Sequence, residues 1–311
     1  MQLLEVYREA VVRDLFKMRT FQSCWNSHWK EKAASIIGDQ PTFMTLQSLG
    51  DNLRDIFLST NDGGRSQGSL SGGGAAWECL ITWYVNLGLI GTNTIVLKHK
   101  KAFVPPVIVE ALTVWYEGFS SNTESDLIAI TFPDDKEACY NMQYLEKFNN
   151  EIFHTDKLNS EIINSFNLND IDRLIRDNFS KIKINVIQCK TNWNDNAQIP
   201  MAWDMIYSSN SFSGRDISIG SSHYSIFKLN HFIYSFVTVP TQKDINKSFK
   251  KSSTSVARVK RLSGSNFWGI ETKEDIAHSI SDIFELNYPS SFDKDKFEEK
   301  FLKLKTVYFN L

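Results

Sequence analysis

Two apolar runs constrain this chain more than anything else in it. Residues 126–132 read DLIAITF and residues 183–189 read KINVIQC. Each is short, rich in branched apolar residues and bounded by polar residues or by Pro133, which is how a buried strand looks in sequence. A third run, HFIYSFVTV at 231–239, has the same character, and residues 91–97 form a shorter strand candidate. Helical spacing of apolar residues dominates elsewhere. It runs through 1–58, through AAWECLITWYVNLGL at 75–89, through 198–207, and near 275–286 and 294–304. Residues 107–119 fit either helix or strand. Strands and helices that alternate loosely predict an α/β chain with a central mixed β-sheet flanked by helices.

With 311 residues, of which 42% are hydrophobic, the chain can bury a substantial core. Three segments are expected to make one compact body. Residues 1–74 are helical and end in a Gly/Ser-rich loop, where the six glycines of 59–74 argue against regular structure. Residues 75–240 carry the strands, with a polar, helical insertion at about 137–181. Residues 241–311 hold a basic stretch and two closing helices. The cysteines, Cys24, Cys79, Cys139 and Cys189, show no CxxC spacing, which disfavours zinc and a disulfide framework and suits a reducing, cytoplasmic setting. No run approaches the ~20 apolar residues of a membrane span. The histidines lack HxH or HExxH spacing, and no GxxxxGK[ST] or GxGxxG occurs, so a histidine metal site and a nucleotide-driven motor are both disfavoured.

The chemistry-bearing residues sit at the ends of the two principal strands. Asp126 opens the first, and Gln188-Cys189-Lys190 closes the second. Side chains alternate along a strand, so Gln188 and Lys190 share a face, and Asp126 joins them at one rim if the strands are neighbours. A carboxylate beside a lysine suits phosphodiester hydrolysis. The acid holds Mg²⁺, a cation that prefers oxygen ligands, and the lysine orients water or offsets transition-state charge. Glu78, the only charge in 75–89, is a candidate second carboxylate or a core acid paired with a base. Glu124 is a fallback acid that could share the face of Asp126.

An acid opening an apolar strand, followed by (D/E/Q)xK closing the next, resembles the PD-(D/E)xK nuclease superfamily of restriction endonucleases. The resemblance implies a restriction-endonuclease-like core and Mg²⁺-dependent cleavage of double-stranded DNA, with Mn²⁺ as a substitute ion. It implies Asp126, Gln188, the Cys189 carbonyl and a helical glutamate, Glu78, as metal ligands, and Lys190 as the catalytic lysine. It further implies a homodimer, because a palindromic site mirrors two-fold symmetry, and a separately encoded DNA methyltransferase. Gln188 departs from the acid usual at that position, and no proline precedes Asp126. Residues 258–269, RVKRLSGSNFWG, also resemble stretches near the end of some restriction enzymes.

The net charge of -2 provides no long-range attraction for DNA, so a local basic patch must hold it. Residues 241–261 carry seven Lys or Arg and one acid, Asp244. Lys243, Lys247, Lys250, Lys251, Arg258, Lys260 and Arg261 are the candidate phosphate contacts, with Lys98, Lys100 and Lys101 a weaker cluster. Asn192 and Trp193 are candidates for the wall of the site, while Asp195 and Asn196 read as helix caps. Three alternatives stay open: a repair or abortive-infection nuclease of low specificity, a DNA-binding module that has lost catalysis, and an interaction protein with no nucleic-acid role.

Overall fold

The computed structural model describes residues 3–60, 70–99, 102–122, 125–133, 167–191, 197–209, 216–242, 245, 249–290, 292 and 294–310. The chain opens with α1 (Leu3–Lys17), α2 (Arg19–Cys24), a π-helical turn (Trp25–Trp29), α3 (Lys30–Ile37), α4 (Phe43–Asp51) and α5 (Leu53–Leu58). The long α6 (Leu70–Gly88) leads into β1 (Thr94–Lys98). After α7 (Pro106–Leu112) come β2 (Val114–Tyr116), β3 (Phe119–Ser121) and β4 (Leu127–Thr131). Then follow α8 (Leu168–Asp177), β5 (Lys183–Lys190), α9 (Gln198–Ser208), β6 (Ile217–Ile219), β7 (His231–Thr238), α10 (Thr254–Val259), β8 (Asn266–Trp268), β9 (His278–Ser279), α11 (Ile283–Asn287) and α12 (Lys294–Tyr308).

Six strands form a mixed sheet in the order β1-β4-β5-β7-β8-β9. The β1–β4 and β4–β5 pairs are antiparallel, whereas β5, β7, β8 and β9 are mutually parallel. The two apolar runs are therefore adjacent, with Leu127 opposite Ile187. A parallel pair needs a crossover connection, and the segment carrying α9 and β6 supplies it between β5 and β7. The small sheet β3-β2-β6 is separate.

Alternation sends the strand residues into different cores. Leu127, Ala129, Ile187 and Cys189 join α6 and the N-terminal helices in one, while Ile128, Ile130, Ile184 and Val186 join residues of α7 and α8 in another. A smaller core gathers Phe236, Val256, Val259 and Trp268. Residues from all three sequence segments share the first core, including Phe297 and Phe301 of α12. Trp25, Trp29, Trp77 and Trp83 are fully buried there, the rings of Trp25 and Trp83 meeting edge-on at 4.8 Å. Arg8 of α1, also fully buried, ties that helix to the entry of β1: it donates to the carbonyls of Thr92 and Thr94 at 2.8 and 2.7 Å and pairs with Glu5.

Two expectations need correction. The glycine run Gly72–Gly74 lies inside α6, not in a loop. The rest of α6 buries nearly every side chain, and that packing outweighs the poor helix propensity of glycine. Residues 275–286 are not one helix: Asp275 takes φ 62°, a left-handed conformation that stops helix formation, and β9 with a 3-10 turn follows before α11. The expected insertion is described only from residue 167, where α8 forms, and residues 134–166 lie outside the described residues. Among the described residues, no helix is long and apolar enough to cross a membrane.

Candidate active site

β5 extends past the start of β4, and that overhang makes the site. β4 begins at Leu127, opposite Ile187, while β5 continues through Gln188 and Cys189 to Lys190. Asp126, immediately before β4, fills the space alongside. Its Oδ2 accepts the Cys189 backbone N–H at 2.7 Å and lies 3.7 Å from Lys190 Nζ. On a strand, the N–H and C=O of one residue point to the same side, and those of the next residue to the other. The Lys190 carbonyl accepts from Val239 N, on the β7 side. The Cys189 carbonyl therefore turns to the β4 side, beside Asp126.

Two further charged groups reach the same rim. Glu78 rises from α6 and pairs with Lys98, the last residue of β1, at 2.8 Å between Oε2 and Nζ. β1 is the other neighbour of β4, and Lys98 stands opposite Leu127. Beyond it, His99 N donates to the Asp126 carbonyl at 3.0 Å, and His99 Nδ1 meets Ser125 Oγ at 2.7 Å. Asp126 feels all of these charges. Burial pushes its carboxyl up to about 6, against the pull of Lys190, the Cys189 N–H and Lys98, and the negative charge of Glu78 raises it further.

Gln188 is fully buried and takes a different role from its neighbours. Its Oε1 accepts from Tyr234 Oη at 3.4 Å, and its Nε2 has no hydrogen-bond partner among the described residues. It occupies the face of the sheet away from α6, as do Val186 and Tyr234. The structure thus brings together Asp126, Glu78, Lys190 and the Cys189 backbone, whereas the hydrogen bond of Gln188 goes to β7. Asn192, Trp193, Lys243, Lys247, Glu124, Lys100, Lys101, Asp195 and Asn196 lie outside the described residues.

Among the described residues, no group of three or more His, Cys, Asp or Glu side chains is placed to hold a metal. The donor set still fits one class of ion. Burial pushes the Cys79 thiol up to about 11 and the Cys189 thiol well above its usual range, so both stay protonated at neutral pH. Apart from the His99 ring, whose Nδ1 meets Ser125 Oγ, the remaining donors are oxygens: two carboxylates and a backbone carbonyl. That is a set for a hard divalent cation such as Mg²⁺, which takes one or two carboxylates and fills its other positions with water and phosphate.

Sequence reasoning placed Lys98 in a weaker cluster of candidate phosphate contacts, not beside Glu78, and passed over His99. Their positions depend on β1 pairing with β4, which no local pattern signals. The candidate phosphate contacts lie elsewhere. Lys250 and Arg261 are exposed, Arg258 is half-buried on α10, and Lys251 and Lys260 both pair with Asp275, at 2.7 and 2.9 Å. No protein-family model and no curated protein matches the chain.

Proposed function

We propose that the chain is a Mg²⁺-dependent DNA endonuclease with the PD-(D/E)xK arrangement, of the type II restriction class. One observation carries this reading: an acid opening one buried strand and a lysine closing its antiparallel neighbour meet at 3.7 Å, where the acid also accepts the backbone N–H of Cys189. Asp126, Glu78 and the Cys189 carbonyl would hold the cation. When bound, Mg²⁺ supplies Lewis-acid polarisation of the phosphate and acidifies a water. Lys190 is set to direct the attacking water and offset charge on the phosphorane, its Nζ close to Asp126 but at longer range than a tight ion pair. The water oxygen gives up a proton to solvent as it bonds to phosphorus, and the bond to the ester oxygen on the opposite side breaks, that oxygen taking a proton from solvent. Double-stranded DNA as substrate, a homodimer and a separate methyltransferase partner belong to this same reading, as does a restriction-endonuclease-like core.

A second reading, a DNA-binding module without catalysis, draws on Gln188. The position that should supply another metal ligand carries a neutral amide hydrogen-bonded within the core. One experiment separates the two: incubation with long unmethylated duplex DNA, with and without Mg²⁺, beside Lys190→Ala. Discrete Mg²⁺-dependent fragments that vanish in the variant are expected. A smear would move the protein to the low-specificity nucleases. DNA that is bound but stays intact across templates and metals would refute the catalytic reading.

A further inference from the structure

Lys98 has no role in the reading above, yet its ammonium is the most tightly held charge at the rim. Its distance to Glu78, 2.8 Å, is shorter than the 3.7 Å between Lys190 and Asp126. Both partners are largely shielded, with side chains 18% and 21% exposed. The pairing of Lys98 with Leu127, and of His99 N with the Asp126 carbonyl, fixes Lys98 beside Asp126 through the backbone. Across three adjacent strands and α6, two carboxylates and two ammonium groups thus form one electrically balanced quartet. Two carboxylates at a half-buried rim repel each other unless a cation stands with them.

We propose that Lys98 is a positioning residue that acts as a stand-in cation: it holds the Glu78 carboxylate at the rim and competes there with a divalent cation. This rests on the reading of the site as a metal-dependent nuclease. Lys98 keeps Glu78 from turning away before the cation arrives, and its ammonium is displaced when Glu78 becomes a ligand. The displaced ammonium remains at the end of β1, one strand from Asp126, where it adds a second positive charge beside that of Lys190 for the substrate phosphate. The competition has a measurable sign. A residue that only fixed Glu78 in place would, when removed, let the carboxylate swing off the rim and weaken cation binding. A stand-in cation would, when removed, strengthen it.

The test is Mn²⁺ binding to the full chain without DNA, followed by calorimetry or by the paramagnetic signal of the free ion. Lys98→Met is expected to bind Mn²⁺ on the order of tenfold more tightly than the unaltered protein, because a like-charged competitor has gone. Lys98→Arg, which keeps the charge and grips a carboxylate with two donors, is expected to bind no tighter than the unaltered protein. Cleavage by Lys98→Met should fall even at saturating metal. Unchanged or weaker binding in Lys98→Met, with the unaltered protein binding normally, overturns the role of Lys98 and leaves the nuclease reading standing. No Mn²⁺ binding by the unaltered protein sinks both. If Lys98→Met does not fold, Lys98→Arg still decides: binding tighter than that of the unaltered protein overturns the competition.

Discussion

Replacing Asp126 with asparagine removes a charge that the folded state holds at a cost. The carboxyl rises from an ordinary value of about 4 to about 6, chiefly through burial. Between those two values the folded protein binds a proton that the unfolded chain has released. Stability therefore falls as pH rises from about 4 to about 6, and the full penalty applies above that window. A shift of about two units corresponds to about 3 kcal/mol at most. The side chain is 20% exposed, and solvent screening brings the expected figure to about 1–3 kcal/mol. Asp126→Asn keeps an oxygen for the Cys189 N–H and loses the charge. It should raise Tm at pH 8 by about 2–6 °C and change it little at pH 4.5. The assay is thermal unfolding at both pH values, with and without Mg²⁺. The ion should stabilise the unaltered protein at pH 8 and leave the variant unaffected, since only a folded site with its carboxylates ionised binds it. A variant less stable than the unaltered protein at pH 8, or stabilised equally at both pH values, would refute the reasoning.

Arg8→Met should destabilise the fold by about 3–5 kcal/mol, because it strands Glu5 and the carbonyls of Thr92 and Thr94 in a buried setting; urea unfolding reads this directly. Asp275→Asn should release Lys251 and Lys260 together and raise duplex affinity several-fold at low salt, whereas Lys251→Ala with Lys260→Ala should flatten the dependence of log K on log salt by about 2. Fluorescence anisotropy across a salt series checks both, and identical slopes in all three proteins would remove these lysines from the DNA path.

The strands carrying the site were legible because each is a continuous apolar run with a polar residue at its end, and because alternation alone puts Lys190 and Gln188 on one face. What alternation could not give is the partner each side chain finds. Tyr234 claims Gln188 only because β7 lies parallel to β5. Lys98 meets Glu78 only because β1 is the outer neighbour of β4 and α6 covers that face. These are contacts between residues far apart in the chain, set by the order of strands in the sheet. The glycines of 72–74 misled for a related reason: local preference is worth about 1 kcal/mol per glycine, and burial of the helix that follows is worth more. The helical spacing near 275–286 misled because it says nothing about a single left-handed residue such as Asp275.

The buried tryptophans give the protein a built-in optical probe. Of the eight indoles, four are packed into the core that includes α6, and Trp77 is the residue next to Glu78. Indoles shielded from water emit at shorter wavelength than exposed ones. The short-wavelength part of the emission therefore comes from these four indoles and from Trp268, which is buried in the smaller core. A tilt of α6 that moved Glu78 would shift the rings of Trp77 and Trp83 with it, so the colour and yield of the intrinsic fluorescence report on the site without any added label.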